Sequence, residues 1–376
     1  MKSLTVRLDV DVDPLAVGAR SGLLWCRAAA GEPVPALAGI GEAARLVVDR
    51  PGGASQAQAA LAGLAGPDDV VGPATGPVAF ASFPFDPHAG GELLVPEITV
   101  GRGADGRRWM TIVGDGSLRV EEAIDRARAV AGTRSRSEPS PPTQPTRFDL
   151  NSVLPPELWR DEIVAVARDR IRSGELDKAV LARELVLRTD HPIDRASAIE
   201  RLRATFPAAM IFLVEGFIGA SPELLVARHG DVVRAHPLAG TAPRSSDPAV
   251  DGRLAAELLA STKNRWEHRI TIDWFLDGLL PFCSYVDAEP EPSIVSLANV
   301  HHLGTLVEGR LSSPPASVLE LVAALHPTPA VGGDPQDVAL RVISELEQAE
   351  RGRYGGPTGW VEVPGDARRP DPGLIG

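Results

Sequence analysis

Residues 134–147, RSRSEPSPPTQPTR, constrain the fold more than any other stretch. A run this rich in Ser, Pro and Arg cannot bury apolar surface, so it reads as an exposed linker. Any core must therefore be assembled from the two flanks. The first flank, 1–133, alternates strand-like runs with Gly/Pro turns: LTVRLDV (4–10), LLWCRA (23–28), PVAFASF (77–83), ELLVPEITV (92–100) and RWMTIVG (108–114). Helical stretches interleave near 55–65 and 119–131. This flank reads as the sheet-rich part of the fold.

The second flank, 148–376, mixes helices and strands without a regular βαβ repeat, so the fold class is α+β. LWRDEIVAVARDRIRSGEL (158–176) has Leu158, Ile163, Val166 and Ile171 at helical spacing. KAVLARELVL (178–187) reads as a strand, followed by a helix over 194–206 and a strand AMIFLVEGF (209–217). Residues 222–238 form a hairpin turning at His229-Gly230-Asp231, with helices near 249–260 and 263–280 after it. Strands SIVSLANV (293–300) and HLGTLVEGRL (302–311) come next. Asp334-Pro335 marks the start of a last long helix, as N-cap and first helical residue.

Composition narrows the function. A net charge of -12 repels nucleic acid. Cys26 and Cys283 are the only cysteines, too few for a disulfide framework or a CxxC metal site, which fits a reducing cytoplasm. No apolar run approaches transmembrane length, and the alternating N-terminus reads as a strand and not a signal peptide.

Several residues carry possible chemistry, each with a plain structural alternative. GRGADG (101–106) matches G-x-G-x-x-G, but a strand and not a helix follows it, so it reads as a hairpin loop. Strand alternation groups Lys178 with Val180 and Ala182. It is either a lysine snorkelling at a strand end or a partly buried base with a lowered pKa. Alternation likewise groups Glu223 with apolar Leu225 and Ala227, as half of a core ion pair with arginine or as a functional carboxyl. Glu267 flanks a helical stripe of Trp266, Ile270 and Trp274, as an exposed-edge residue or a ligand for a hard cation. His301 and His302 point to opposite strand faces, so one is inward as a core or catalytic residue. Gly240-Thr241 reads as a turn, plain or shaped to cradle a carboxylate.

Taken in order, KAVLAR, GASPELL, PLAGTAPR, KNRWEH, HHLGTLVEG and LHPTPAVGG resemble the chorismate-utilising enzymes, and most of all the isochorismate synthases of menaquinone and siderophore pathways. The resemblance is strong from Lys178 to Trp360. It implies the chorismate-binding fold, chorismate as substrate and Mg²⁺ as cofactor. By resemblance Lys178 is the base that activates water, and Glu223 is the acid for the leaving hydroxyl. Glu267 binds Mg²⁺, Gly240 and Thr241 offer backbone donors to the ring carboxylate, and His302 and Tyr354 line the pocket. The ammonia-using relatives typically carry glutamine where this chain has Lys178, so water is the implied nucleophile, with no glutaminase subunit. Salicylate synthases place threonine at the position of Ala330, so alanine implies stopping at isochorismate. A soluble cytoplasmic monomer that binds neither nucleic acid nor membrane completes this expectation, with salicylate synthase as the enzymatic alternative.

Two departures accompany the resemblance. Asn264 stands where several relatives have an acidic residue. Trp360-Val361-Glu362-Val363 reads as a strand and Gly365-Asp366 as a turn, but the Ala-Arg-Arg-Pro-Asp-Pro that follows cannot pair as a strand. Family members continue with a return strand, a substrate-facing arginine, a Gly-Ala-Gly stretch and a helix bearing a second metal-binding glutamate. The resemblance thus implies a chain lacking that closing segment, with strand 360–363 left as an open edge, and the further alternative of an inactive chorismate-binding remnant.

Overall fold

The computed structural model describes residues 1–27, 35–48, 53–70, 72–132, 147–347, 349–362 and 374–375. All but Arg147 of the expected linker, Val363 and the Gly365-Asp366 turn lie outside the described residues. Two large antiparallel sheets dominate. One holds seven strands in the order Lys2–Arg7, Arg108–Gly114, Ile98–Arg102, Ala36–Ile40, Leu23–Arg27, Met210–Val214 and Phe217–Ser221. The other holds nine: Cys283–Ala288, Val307–Leu311, Val232–His236, Leu224–His229, Leu374–Ile375, Thr358–Glu362, Val78–Ser82, Gly91–Val95 and Ala44–Val48. Both sheets take strands from either side of 134–147. Trp25 lies opposite Phe212 in one, and Phe80 opposite Trp360 in the other.

The sheets pack face to face. Leu23, Leu37, Trp109 and Val214 of the first meet Val78, Phe80, Leu94 and Trp360 of the second. Helices cover the outer faces. Val17 of Pro14–Ser21 and Ala123 and Ala127 of Val120–Gly132 pack on Ala38, Val100 and Met110. On the nine-stranded sheet, Phe275 and Leu279 of Thr262–Leu279 join Leu321 and Leu325 of Val318–Leu325 against Leu225, Val226 and Val233. Strands covered on both sides, such as Ala36–Ile40 and Met210–Val214, are buried at every residue, which is why their sequences run apolar without alternation. Among the described residues, no helix is long and apolar enough to cross a membrane.

The α+β class holds, and several local readings are corrected. ELLVPEITV is two strands in different sheets, broken at Pro96. AMIFLVEGF contains a hairpin turn, with Glu215 and Gly216 both at positive φ. HLGTLVEGRL also splits, into Val300–Gly304 and Val307–Leu311. The helix over 158–176 contains a π turn at Trp159–Val164. The extra residue of a π turn rotates the stripe, so Ile163 and Ala167 are buried while Leu158 and Val166 are exposed. On Thr262–Leu279 the buried face is His268, Thr271, Ile272, Phe275 and Leu279, and Trp266 is exposed. The last long helix is Gln336–Leu346 with Pro335 as N-cap, because Asp334 is occupied in strand pairing. The helix Pro14–Ser21 adds to the expected elements, and Asp13-Pro14 carries the N-cap and N1 signal that marks it. Thr358–Glu362 pairs along its whole length with Val78–Ser82, and on its other side Thr358 and Gly359 pair with Ile375 and Leu374.

Candidate active site

KAVLARELVL does not form one strand. Only Lys178–Ala179 pairs, antiparallel to Gly333–Asp334, and Leu185–Thr189 belongs to a separate two-stranded sheet. Strand alternation therefore does not place Lys178. Its backbone is set instead by the close approach of Gly333 (φ 152°), where a Cβ would come within 2.1 Å of the Lys178 carbonyl oxygen. Lys178 is half-buried. Burial pulls its pKa below the ordinary lysine value, although the charges of Glu267, Glu223 and Asp334 pull the other way.

Glu223 also escapes simple alternation. It precedes the strand Leu224–His229, which has a bulge between Leu224 and Ala227. Its segment, Pro222-Glu223, links Phe217–Ser221 of the seven-stranded sheet to Leu224–His229 of the nine-stranded one. The residue as a whole is half-buried, but the carboxyl end is enclosed, and burial pushes its pKa up to about 7. A hydrogen bond from the Leu238 backbone and the charge of Lys178 oppose that rise. The charge acting on it is thus a lysine, not the arginine of a core ion pair.

Gly240 and Thr241 sit in the strand Leu238–Pro243, not in a turn. A bulge between Ala239 and Thr241 sets Gly240 at φ 79°, and a Cβ there would meet the backbone oxygen of Asn264 at 3.3 Å. Left-handed backbone pressed against a helix requires glycine. His302 reaches back across the pair. Its Nδ1 lies 3.0 Å from the Thr241 hydroxyl and 3.3 Å from the Gly240 carbonyl oxygen, so Nδ1 carries the proton. Burial lowers the His302 pKa, which keeps the ring neutral at pH 7. His301 faces the other way, buried between Ser296 and Asp251 at 2.8 and 3.0 Å.

Lys178, Glu223, Gly240, Thr241, Glu267, His302 and Ala330 all line one cavity of about 470 Å³. Tyr354 does not; it is exposed, in a turn closed by its own N–H to the Arg351 carbonyl. Five further residues line it beyond those the sequence marks: Ser221, Pro222, Leu238, Ala239 and Lys263. Lys263 was findable, since it stands one helical turn before Glu267, and its Nζ lies 3.1 Å from the Glu267 carboxylate. Among the described residues no cluster of three or more His, Cys, Asp or Glu side chains is shaped to hold a metal. The Glu267 carboxylate, paired with Lys263, is the cavity group whose chemistry suits a hard cation, which would take its other ligands from water and substrate oxygens.

The family model of the chorismate binding enzymes matches residues 17–368. The chain belongs to the chorismate-binding enzyme family. It is 35% identical over 306 residues to a Mycobacterium tuberculosis (strain H37Rv) protein provisionally named isochorismate synthase MenF, covering 78% of this chain and 73% of that one. It is 32% identical over 299 residues to isochorismate synthase EntC of Escherichia coli K12, covering 77% and 68%. The solved structure of MenF, the menaquinone-specific isochorismate synthase of Escherichia coli, superposes with a TM-score of 0.76 at 24% identity, over 100% of this chain and 84% of that one. At that identity the superposition speaks for the family's fold alone.

Proposed function

We propose that the protein is an isochorismate synthase, an isomerase that adds water at C2 of chorismate as the C4 hydroxyl leaves. The observation that supports this reading most is the pairing, in one cavity, of a lysine whose burial favours the neutral amine with a carboxyl whose burial favours the acid. Neutral Lys178 takes a proton from water as its oxygen bonds to C2. Both ring double bonds shift, from C1=C2 and C5=C6 to C1=C6 and C4=C5, and Glu223 protonates the departing C4 oxygen, which leaves as water. One water enters and one leaves, and solvent returns the proton from Lys178 to Glu223. Gly240 and Thr241 offer backbone donors to the ring carboxylate, and His302 holds them in place through its Nδ1 proton. Mg²⁺ held by Glu267 would neutralise that carboxylate. Water as nucleophile calls for no glutaminase subunit, and we place the enzyme in the cytoplasm, acting as a monomer without nucleic-acid partners. Its product would feed menaquinone or siderophore synthesis.

The test is to incubate the purified protein with chorismate and Mg²⁺ and to resolve the products. Isochorismate without pyruvate is expected. Salicylate and pyruvate as main products would overturn the reading in favour of a salicylate synthase, and no turnover with retained chorismate binding would favour an inactive remnant. Ala330 offers a sharper comparison, because its side chain lines the cavity from a turn tied by the Thr328 hydroxyl. Ala330→Thr adds a hydroxyl facing the substrate and is expected to release measurable pyruvate, while isochorismate stays the main product because one hydroxyl seldom supplies a full change of activity. Pyruvate unchanged from background would remove Ala330 as a determinant.

A further inference from the structure

We propose that the buried pair Glu347–Arg351 is a positioning element that holds the Lys178 segment against the Ala330 turn. The inference rests on the isochorismate synthase reading for its catalytic consequence, and on hydrogen bonds alone for its geometry. Neither residue lines the cavity. Their side chains are only 4% and 6% exposed. Arg351 Nε donates to Glu347 Oε2 at 2.8 Å, and Nη2 donates to Oε1. The rest of the fork reaches both catalytic segments. Nη2 donates to the Val180 carbonyl at 2.6 Å, and Nη1 to the Val331 carbonyl at 2.8 Å. Glu347 Oε1 accepts the Ala182 N–H at 2.7 Å. The guanidinium lies 4.0 Å from the centroid of the Phe85 ring, which fixes its plane.

This arrangement accounts for the early end of the strand Lys178–Ala179. Past Ala179 the ladder continues for one bond, Val180 N–H to the Gly332 carbonyl at 2.8 Å, and then side chains take over its partners. Lys178 is two residues from Val180, and Ala330 is next to Val331. The pair therefore grips both walls of the cavity within two residues of the groups proposed to act there. A buried ion pair is weak evidence for stability, because desolvation offsets most of the attraction. Its bidentate, planar geometry is what an apolar replacement cannot reproduce.

Truncating either side chain leaves the other's charge buried with no hydrogen-bond partner, which threatens the fold. The test therefore uses Arg351→Lys, which keeps the charge and loses the fork, and Glu347→Gln, which keeps an acceptor for Ala182. Peptide hydrogen exchange is read over 177–183 and 328–334, with the strand Arg108–Gly114 as internal control, beside kcat and the chorismate Kd. In Arg351→Lys we expect exchange at least about tenfold faster in those two segments and unchanged in the control. We expect kcat to fall by about 10²-fold, the scale of an ångström of misplacement, with Kd within about threefold because the carboxylate donors of Gly240 and Thr241 lie outside the brace. Glu347→Gln should fall between this variant and wild type. Unchanged exchange in both segments would overturn the brace, and so would faster exchange with kcat unaffected. A wild-type protein that makes no isochorismate would instead remove the functional reading, and the exchange measurement would then decide the brace alone.

Discussion

Lys178→Gln should lower kcat by at least about 10²-fold, the low end for a lost general base, and leave chorismate binding nearly intact. The side chain keeps its approximate length and polarity, so the cavity is not emptied. What disappears is a titratable nitrogen in a place where burial outweighs three neighbouring carboxyls. That balance separates the two readings of this lysine. A snorkelling ammonium would keep its ordinary pKa, and its replacement would cost little. A base must be neutral for a useful fraction of the time, which burial favours and which protonation of Glu223 favours further by removing a nearby negative charge. Steady-state kinetics with calorimetric measurement of chorismate binding distinguish the outcomes. Near-normal turnover in the variant would take Lys178 out of the mechanism.

Glu223→Gln should be about as damaging, 10²-fold or more for a lost general acid, and it should also reshape the pH dependence. The productive form carries a proton on Glu223 and none on Lys178. If the lysine titrates above about 7, activity falls below that pH because the neutral amine becomes scarce. Between pH 7 and the lysine's own pKa activity is flat, since the gain in free amine is cancelled by the loss of protonated Glu223, and above the lysine's pKa it falls. If the lysine titrates lower, Glu223 instead sets the alkaline limb. In either order wild type has a limb in kcat/KM at about pH 7, the pKa to which burial raises this carboxyl. In the variant residual activity depends on Lys178 alone, so the break at pH 7 disappears and only a break at the lysine's own pKa is left. A break persisting at pH 7 beside that one in Glu223→Gln would assign it to another group and remove Glu223 as the acid.

Much of this protein could be read along the chain. Strand and helix positions follow from local pattern wherever burial is one-sided. The helix Val120–Gly132, with Glu121 and Glu122 in its first turn, and the hairpin through Gly230 at φ 64° lie where periodicity and turn chemistry put them. The ordered blocks from Lys178 onward name a family, and with it residue types suited to acid–base chemistry. Local pattern fails where a segment is divided between sheets or held by side chains. Pro96 separates strands of two sheets, and the Val180 carbonyl is bound by an arginine 171 residues away. Alternation presumes one continuous ladder, and neither segment has one.

The sequence alone determined the chemistry on offer: a lysine, two glutamates, a histidine and a Gly-Thr pair, in an order that few chains share. Only the tertiary structure decided that these groups line one cavity and that Tyr354 does not. It also decided the proton affinities, because a pKa depends on which atoms exclude water from a group and which charges face it. Those atoms come from segments as distant as Lys178, Leu238 and Glu267.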